Sequence, residues 1–158
     1  MHITVVAIVR STGHWRKIAG SEQLESIPGT MQMYAEFARS FFKGRQVEFH
    51  PTFWLATDGD MAKKTAQIIA GDNGEVIAAE KEAVLQSIVS AIAAGHRHIL
   101  IVGKDATVYE NIGEETASKF SRFKPGHCEG VKFEVEVNDP EGELRVVDSA
   151  YLLTNAHP

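Results

Sequence analysis

Cysteine is nearly missing from this chain, with one residue, Cys128, among 158. That excludes an internal disulfide and any cysteine-built metal site, and it suits a reducing compartment. Cys128 itself reads as a semi-buried strand residue. Long apolar runs are missing as well. No stretch approaches the roughly 20 residues that span a bilayer, and the amino terminus has neither the basic region nor the apolar core of a secretory signal. There is no excess of positive charge: 16 Lys and Arg stand against 21 Asp and Glu, for a net charge of -5. General nucleic-acid binding and attachment to an anionic membrane surface both need a positive field, so neither is expected. No P-loop, GxGxxG or serine-elbow motif occurs. The expectation is a cytoplasmic protein with neither nucleic acid nor membrane as a partner.

What the chain does have is enough apolar material for a core. Hydrophobic residues make up 44% and charged residues 23% of the sequence, which fits one α/β domain over 1–158. The first strand, Ile3 to Val9, is apolar or β-branched throughout and reads as buried on both faces. It runs into Arg10-Ser11-Thr12-Gly13-His14. A polar connection without clear period follows, Trp15 to Ile27, long enough for a lid, with Trp15 either part of it or a core anchor. Pro28-Gly29-Thr30 opens a helix with Met31, Tyr34, Ala35, Ala38, Phe41 and Phe42 inside and Gln32, Glu36, Arg39 and Lys43 outside. A short buried strand, Phe53 to Ala56, ends in Thr57-Asp58-Gly59-Asp60.

A second helix carries Met61, Ala62, Thr65, Ala66, Ile68 and Ile69, with Lys63 and Lys64 on a solvated face, and stops at Gly71. A short Val76-Ile77 strand comes next. The third helix, Glu80 to Ala94, turns Val84, Leu85, Ile88, Val89 and Ile92 to one side, and Gly95 closes it. His98 to Val102 is the strongest strand in the sequence, ending in Gly103-Lys104-Asp105. An irregular helical segment from Ala106 to Phe120 leads to strict alternation at Val131, Phe133, Val135 and Val137, and the run Leu144 to Leu153 completes a hairpin with one wet face. The order predicts a three-layer α/β fold, a mostly parallel central sheet flanked by helices with a carboxyl-terminal β-hairpin.

In open α/β sheets ligands bind beyond the carboxyl ends of the strands. Two buried strands here end in a cation with small residues, Arg10 and Lys104. Side by side they form an anion pocket, with Ser11, Thr57 and His14 on its rim. Each has a plainer reading: Arg10 pairs with a surface carboxylate, Lys104 is a solvated loop lysine, and His14 has no role. Seven histidines make no metal motif. His96 and His98, two apart, would share a face of an extended chain but lack a third ligand. Neither a metal nor an organic cofactor is expected.

With these residues in hand, the whole chain resembles the histidine phosphatase superfamily, the phosphoglycerate-mutase-like fold, and by size its small SixA-type members. Ile8-Val9-Arg10 resembles the strand into that family's Arg-His-Gly signature. Ile27 to Ala38 resembles its Leu-Thr-Pro-x-Gly helix start, Leu55 to Ala70 its Ser-Ser-Pro-x-x-Arg-Ala stretch, and Ile99 to Lys104 the strand before its second catalytic histidine. The resemblance puts Ser11 at the position of the nucleophilic histidine, Met61 at the second arginine and Lys104 at the second histidine, so only Arg10 is kept. It thus implies a pseudo-phosphatase that binds a phosphorylated small molecule or phosphoprotein through Arg10, Lys104, Ser11, His14 and Thr57 without hydrolysing it. Two alternatives stay open: an active phosphatase or phosphotransferase that uses His14, and an interaction module with a vestigial pocket that associates through the edge of the Val131 to Leu153 hairpin. Glu80 and Glu82 lie near where the family's proton donor would fall, but read as helix-surface residues.

Overall fold

In the computed structural model, which describes residues 3–11, 15–17, 19–21, 24–26, 30–44, 49–57, 60–103, 128–138 and 143–152, the elements follow in the order β1 (Thr4–Arg10), β2 (Trp15–Lys17), β3 (Leu24–Ser26), α1 (Thr30–Lys43), β4 (Phe53–Ala56), α2 (Asp60–Ala70), β5 (Gly74–Val76), α3 (Lys81–Ala93), β6 (His98–Gly103), β7 (Gly130–Asn138) and β8 (Glu143–Leu152). Six strands form one sheet in the order β5-β4-β6-β1-β7-β8. The pairs β4·β5, β4·β6 and β1·β6 are parallel, whereas β7 runs antiparallel to both β1 and β8. The expected α/β architecture is the one observed.

Helices cover both faces because the inner strands are apolar on both. Ala7 and Val9 of β1, Trp54 and Ala56 of β4, and Leu100 and Val102 of β6 pack against Ala35, Ala38 and Phe42 of α1 and Ala62, Ala66 and Ile69 of α2. The alternate residues Val6, Ile8, Leu55, Ile99 and Ile101 meet Val84, Ile88 and Ala91 of α3, joined by Val131, Phe133 and Val135 of β7. Period-2 strands between helical stripes thus give three layers. Gln32, Glu36, Arg39, Lys43, Lys63 and Lys64 are exposed, as their spacing predicts. The sheet's last strand, β8, is wet along most of its length, with Val147 and Tyr151 exposed. Asp148 pairs with Glu134 and Val146 with Val135, so Val147 is an extra residue that bulges this edge and hinders pairing with another strand.

Four expectations need correction. The stretch after β1 is not without regular structure: β2 and β3 pair antiparallel, Trp15 with Ser26 and Lys17 with Leu24, and three-residue strands are too short to show a period. The third parallel strand is Gly74–Val76, which starts two residues and ends one residue before the expected Val76-Ile77. A Cβ on Gly74 would meet the Trp54 ring, so the glycine ending the α2 turn also starts the strand. Cys128 is fully buried, and it lies in the turn before β7 at φ 59, not in the strand. His96 and His98 do not share a face. His98 stacks on Phe49, in the core on the α1 and α2 side, and His96 on Phe53, packed against the α3-side core. The chain bends at Arg97, whose guanidinium donates to the Ile92 and His96 carbonyls. The expected helical segment Ala106 to Phe120 lies outside the described residues.

One buried group on β1 gives a stability prediction. Thr4 is 1% exposed, and its hydroxyl oxygen has no hydrogen-bond partner among the described residues. A buried hydroxyl without a partner costs more than the methyl that would replace it. Thr4→Val should raise stability by about 1 kcal/mol, seen as a melting point higher by roughly 2–4 °C. An unchanged or lower midpoint would mean that the hydroxyl is satisfied.

Candidate functional site

β1, β4 and β6 are parallel neighbours, so their carboxyl ends reach one edge of the sheet together. Arg10 pairs with Gly103 across β1 and β6, and Ala56 with Val102 across β4 and β6. The residues just beyond are laced to the same strand: Ser11 N–H donates to the Gly103 carbonyl at 2.6 Å and Thr57 N–H to the Val102 carbonyl at 3.0 Å. On its other side β1 is clamped by the start of β7, with Arg10 N–H donating to Glu129 (2.9 Å) and Cys128 N–H donating to the Arg10 carbonyl (2.8 Å). The Arg10 backbone is thereby held from both sides, while its side chain is half-buried at the rim.

Of the expected site residues, the structure brings Arg10, Ser11 and Thr57 to this edge. The Ser11 side chain is 1% exposed, and the Thr57 hydroxyl turns back toward the Val102 carbonyl at 3.4 Å. Met61 is half-buried in the first turn of α2, next to that edge. Lys104 directly follows Gly103 in the chain but, like His14, lies outside the described residues. Glu80 is the exposed N-cap of α3 and Glu82 is exposed in its first turn. The part sequence reasoning missed is the β7 clamp. Its one signal was Gly130, since a glycine in a strand often marks a close backbone approach; the left-handed turn at Cys128 has no sequence signal.

The arrangement supplies a fixed cation with a planar fork at the crevice where parallel strands end, the geometry by which α/β sheets take anions. No protein-family model matches the chain, and neither does any curated protein sequence. Solved structures do. A protein histidine phosphatase SixA complexed with tungstate superposes with a TM-score of 0.60 at 15% identity, over 96% of this chain and 99% of that one. A phosphoserine phosphatase from Entamoeba histolytica, in complex with 3-phosphoglyceric acid, gives 0.55 at 15% identity, over 94% and 96%. A protein from Agrobacterium tumefaciens assigned as a phosphohistidine phosphatase SixA gives 0.52 at 18% identity, over 93% and 97%. The fold is that of the histidine phosphatases.

In this histidine-phosphatase fold the described residues include no group of three or more His, Cys, Asp or Glu able to hold a metal ion. Among them, no helix is long and apolar enough to cross a membrane. Burial, helped by neighbouring Glu129, pushes the Cys128 thiol up to about 12, so it is protonated at neutral pH. At the far end of the sheet, burial and the charges of His50 and Lys132 hold His98 below its usual value. The ring is neutral, as its role requires, because its Nδ1 accepts from the His50 N–H at 2.7 Å.

Proposed function

We propose that the chain, as one domain over 1–158, is a catalytically degenerate protein of histidine-phosphatase fold. It binds a phosphorylated ligand, small molecule or phosphoprotein, at the carboxyl edge of β1 and β6 and does not hydrolyse it. The observation that carries this reading is Arg10 at the end of β1, its chain neighbour Ser11 bonded to the Gly103 carbonyl of β6 on one flank and its own backbone bonded to the β7 start on the other. A guanidinium in that crevice suits a tetrahedral oxyanion. The tungstate bound to one of the similar structures is such an anion. Lys104, His14 and Thr57 complete the pocket in this reading.

Loss of turnover follows from the residue types. Ser11, where the resemblance puts the nucleophilic histidine, has a buried hydroxyl, and a hydroxyl needs an activating base that an imidazole does not. Met61, at the position of the second arginine, offers no charge to a developing phosphoryl transition state. The lone cysteine and acidic balance fit a cytoplasmic setting.

Thermal unfolding in titrations of phosphate and tungstate tests both halves. At a hundredfold excess over the dissociation constant, a ligand specific for the folded state stabilises it by about 2.7 kcal/mol, which raises the midpoint by roughly 5–10 °C. The rise should disappear in Arg10→Ala, and the unmodified protein should release no phosphate from 4-nitrophenyl phosphate between acidic and neutral pH. Absence of a saturable rise refutes the site. Phosphate release that His14→Ala abolishes would establish instead a working enzyme with His14 as nucleophile.

A further inference from the structure

At the edge of the sheet opposite Arg10, the carboxyl ends of α1 and α2 and the chain entering β4 enclose a cleft of about 290 Å³. Phe42 and Ile69, both at most 5% exposed, form its floor. Arg39 and Lys43, one turn apart on the exposed side of α1, stand along one wall, and His50 forms a lip. Among the described residues that line it, every charged side chain is a cation. In a chain of net charge -5, that clustering departs from the character of the surface as a whole.

Both lips are fixed before any ligand arrives. His50 N–H donates to His98 Nδ1 at 2.7 Å, and the His98 ring stacks on those of His50 and Phe49. Across the cleft the Trp54 indole N–H donates to the Gly71 carbonyl at 2.8 Å and holds the turn that leaves α2, where Gly71 takes φ 87. A concave apolar floor, a few converging polar groups and a rigid rim make a preformed small-molecule site.

The chemistry selects the ligand. A guanidinium fork beside an ammonium group recognises a carboxylate or a phosphate. The carboxyl ends of two helices, however, add negative partial charge to the same cleft and disfavour a dianion relative to a monoanion. The floor calls for an apolar body, and the volume, at the lower end of ligand pockets, limits it to about one ring. We infer that this cleft binds a small aromatic monocarboxylate, its carboxylate on Arg39 and Lys43 and its ring against Phe42 and Ile69. The site is separate from the one around Arg10 and does not depend on it.

Calorimetric titration of benzoate, benzamide and inorganic phosphate into the full chain tests this inference. Benzoate should bind saturably in the millimolar range or tighter, and benzamide, which has the ring without the charge, at least about tenfold more weakly. Arg39→Gln should weaken benzoate at least about tenfold and Lys43→Gln should weaken it in the same direction. Both side chains are exposed, so each variant should keep the parent melting point. Arg10→Ala should bind benzoate unchanged, and saturating phosphate should not displace it. No saturable heat, equal binding of benzamide, indifference to Arg39, or loss in Arg10→Ala would each overturn the inference, the last by placing benzoate at the other edge.

Discussion

Gly130→Ala should destabilise the protein by at least about 3 kcal/mol, well beyond an ordinary surface substitution. Gly130 opens β7 opposite Val9, and a Cβ there would collide with the Ile8 carbonyl oxygen and approach the Ile8 carbonyl carbon to 2.7 Å and the Val9 Cα to 2.8 Å. These are backbone atoms of a buried strand bonded on both sides, so no side chain can rotate out of the way. Relief requires β7 to move off β1, which breaks the bonds between Arg10 and residues Cys128 and Glu129. The melting point should fall by roughly 10 °C, and under the anion-binding reading tungstate affinity should weaken with it, since Arg10 loses the clamp that positions it. Gly20→Ala is the control. Gly20 also resists a side chain, through φ 79, but a Cβ there meets nothing within 4 Å, so its cost should be about 1 kcal/mol. If the two variants melt together, the close approach of β7 to β1 is wrong.

The same contrast shows what the sequence could convey. Apolar runs at Val5 to Val9 and Ile99 to Val102, with neither face left polar, required helices on both sides of the sheet, and α1, α2 and α3 lie there. Alternation at Val131, Phe133 and Val135 marked β7 just as plainly, because a period of two over nine residues is hard to obtain otherwise. Half of the candidate site followed from that: once β1 and β6 are parallel neighbours, Arg10 and Gly103 must share an edge. The rest depended on geometry without a periodic trace. The β2–β3 ribbon is too short to alternate. The left-handed turn at Cys128 is an option most residues avoid, so nothing in its residue type announced it. The opposite faces of His96 and His98 come from a bend that Arg97 caps by bonding carbonyls, and the cleft beside Arg39 needs three elements brought together from distant parts of the chain.

Cys128 should react with a disulfide reagent such as DTNB about 1,000-fold more slowly in the native protein than in the unfolded chain at pH 8. With the thiol pushed from its ordinary 9.0 to about 12 by burial and by Glu129, the thiolate fraction falls from about one in ten to about one in ten thousand, and only the thiolate attacks. Full burial adds a steric barrier, so the labelling that does occur reports local opening of the β7 start. The same shift sets an alkaline limit on stability. A raised folded-state value means that above pH 9 the unfolded chain has lost a proton that the native one keeps, so stability is intact below pH 9. From pH 9 to about 12 it declines by up to about 1.4 kcal/mol per pH unit. Cys128→Ala should lack that decline. Because Cys128 N–H is bonded to the Arg10 carbonyl, opening at Cys128 also loosens the end of β1. Under the anion-binding reading, tungstate at a hundredfold excess should therefore slow labelling about a further hundredfold. Labelling at the unfolded rate would mean that Cys128 is not buried against β1. Labelling slow but indifferent to tungstate would separate the clamp from the site, leaving β7 to hold the sheet together without positioning Arg10 for a ligand.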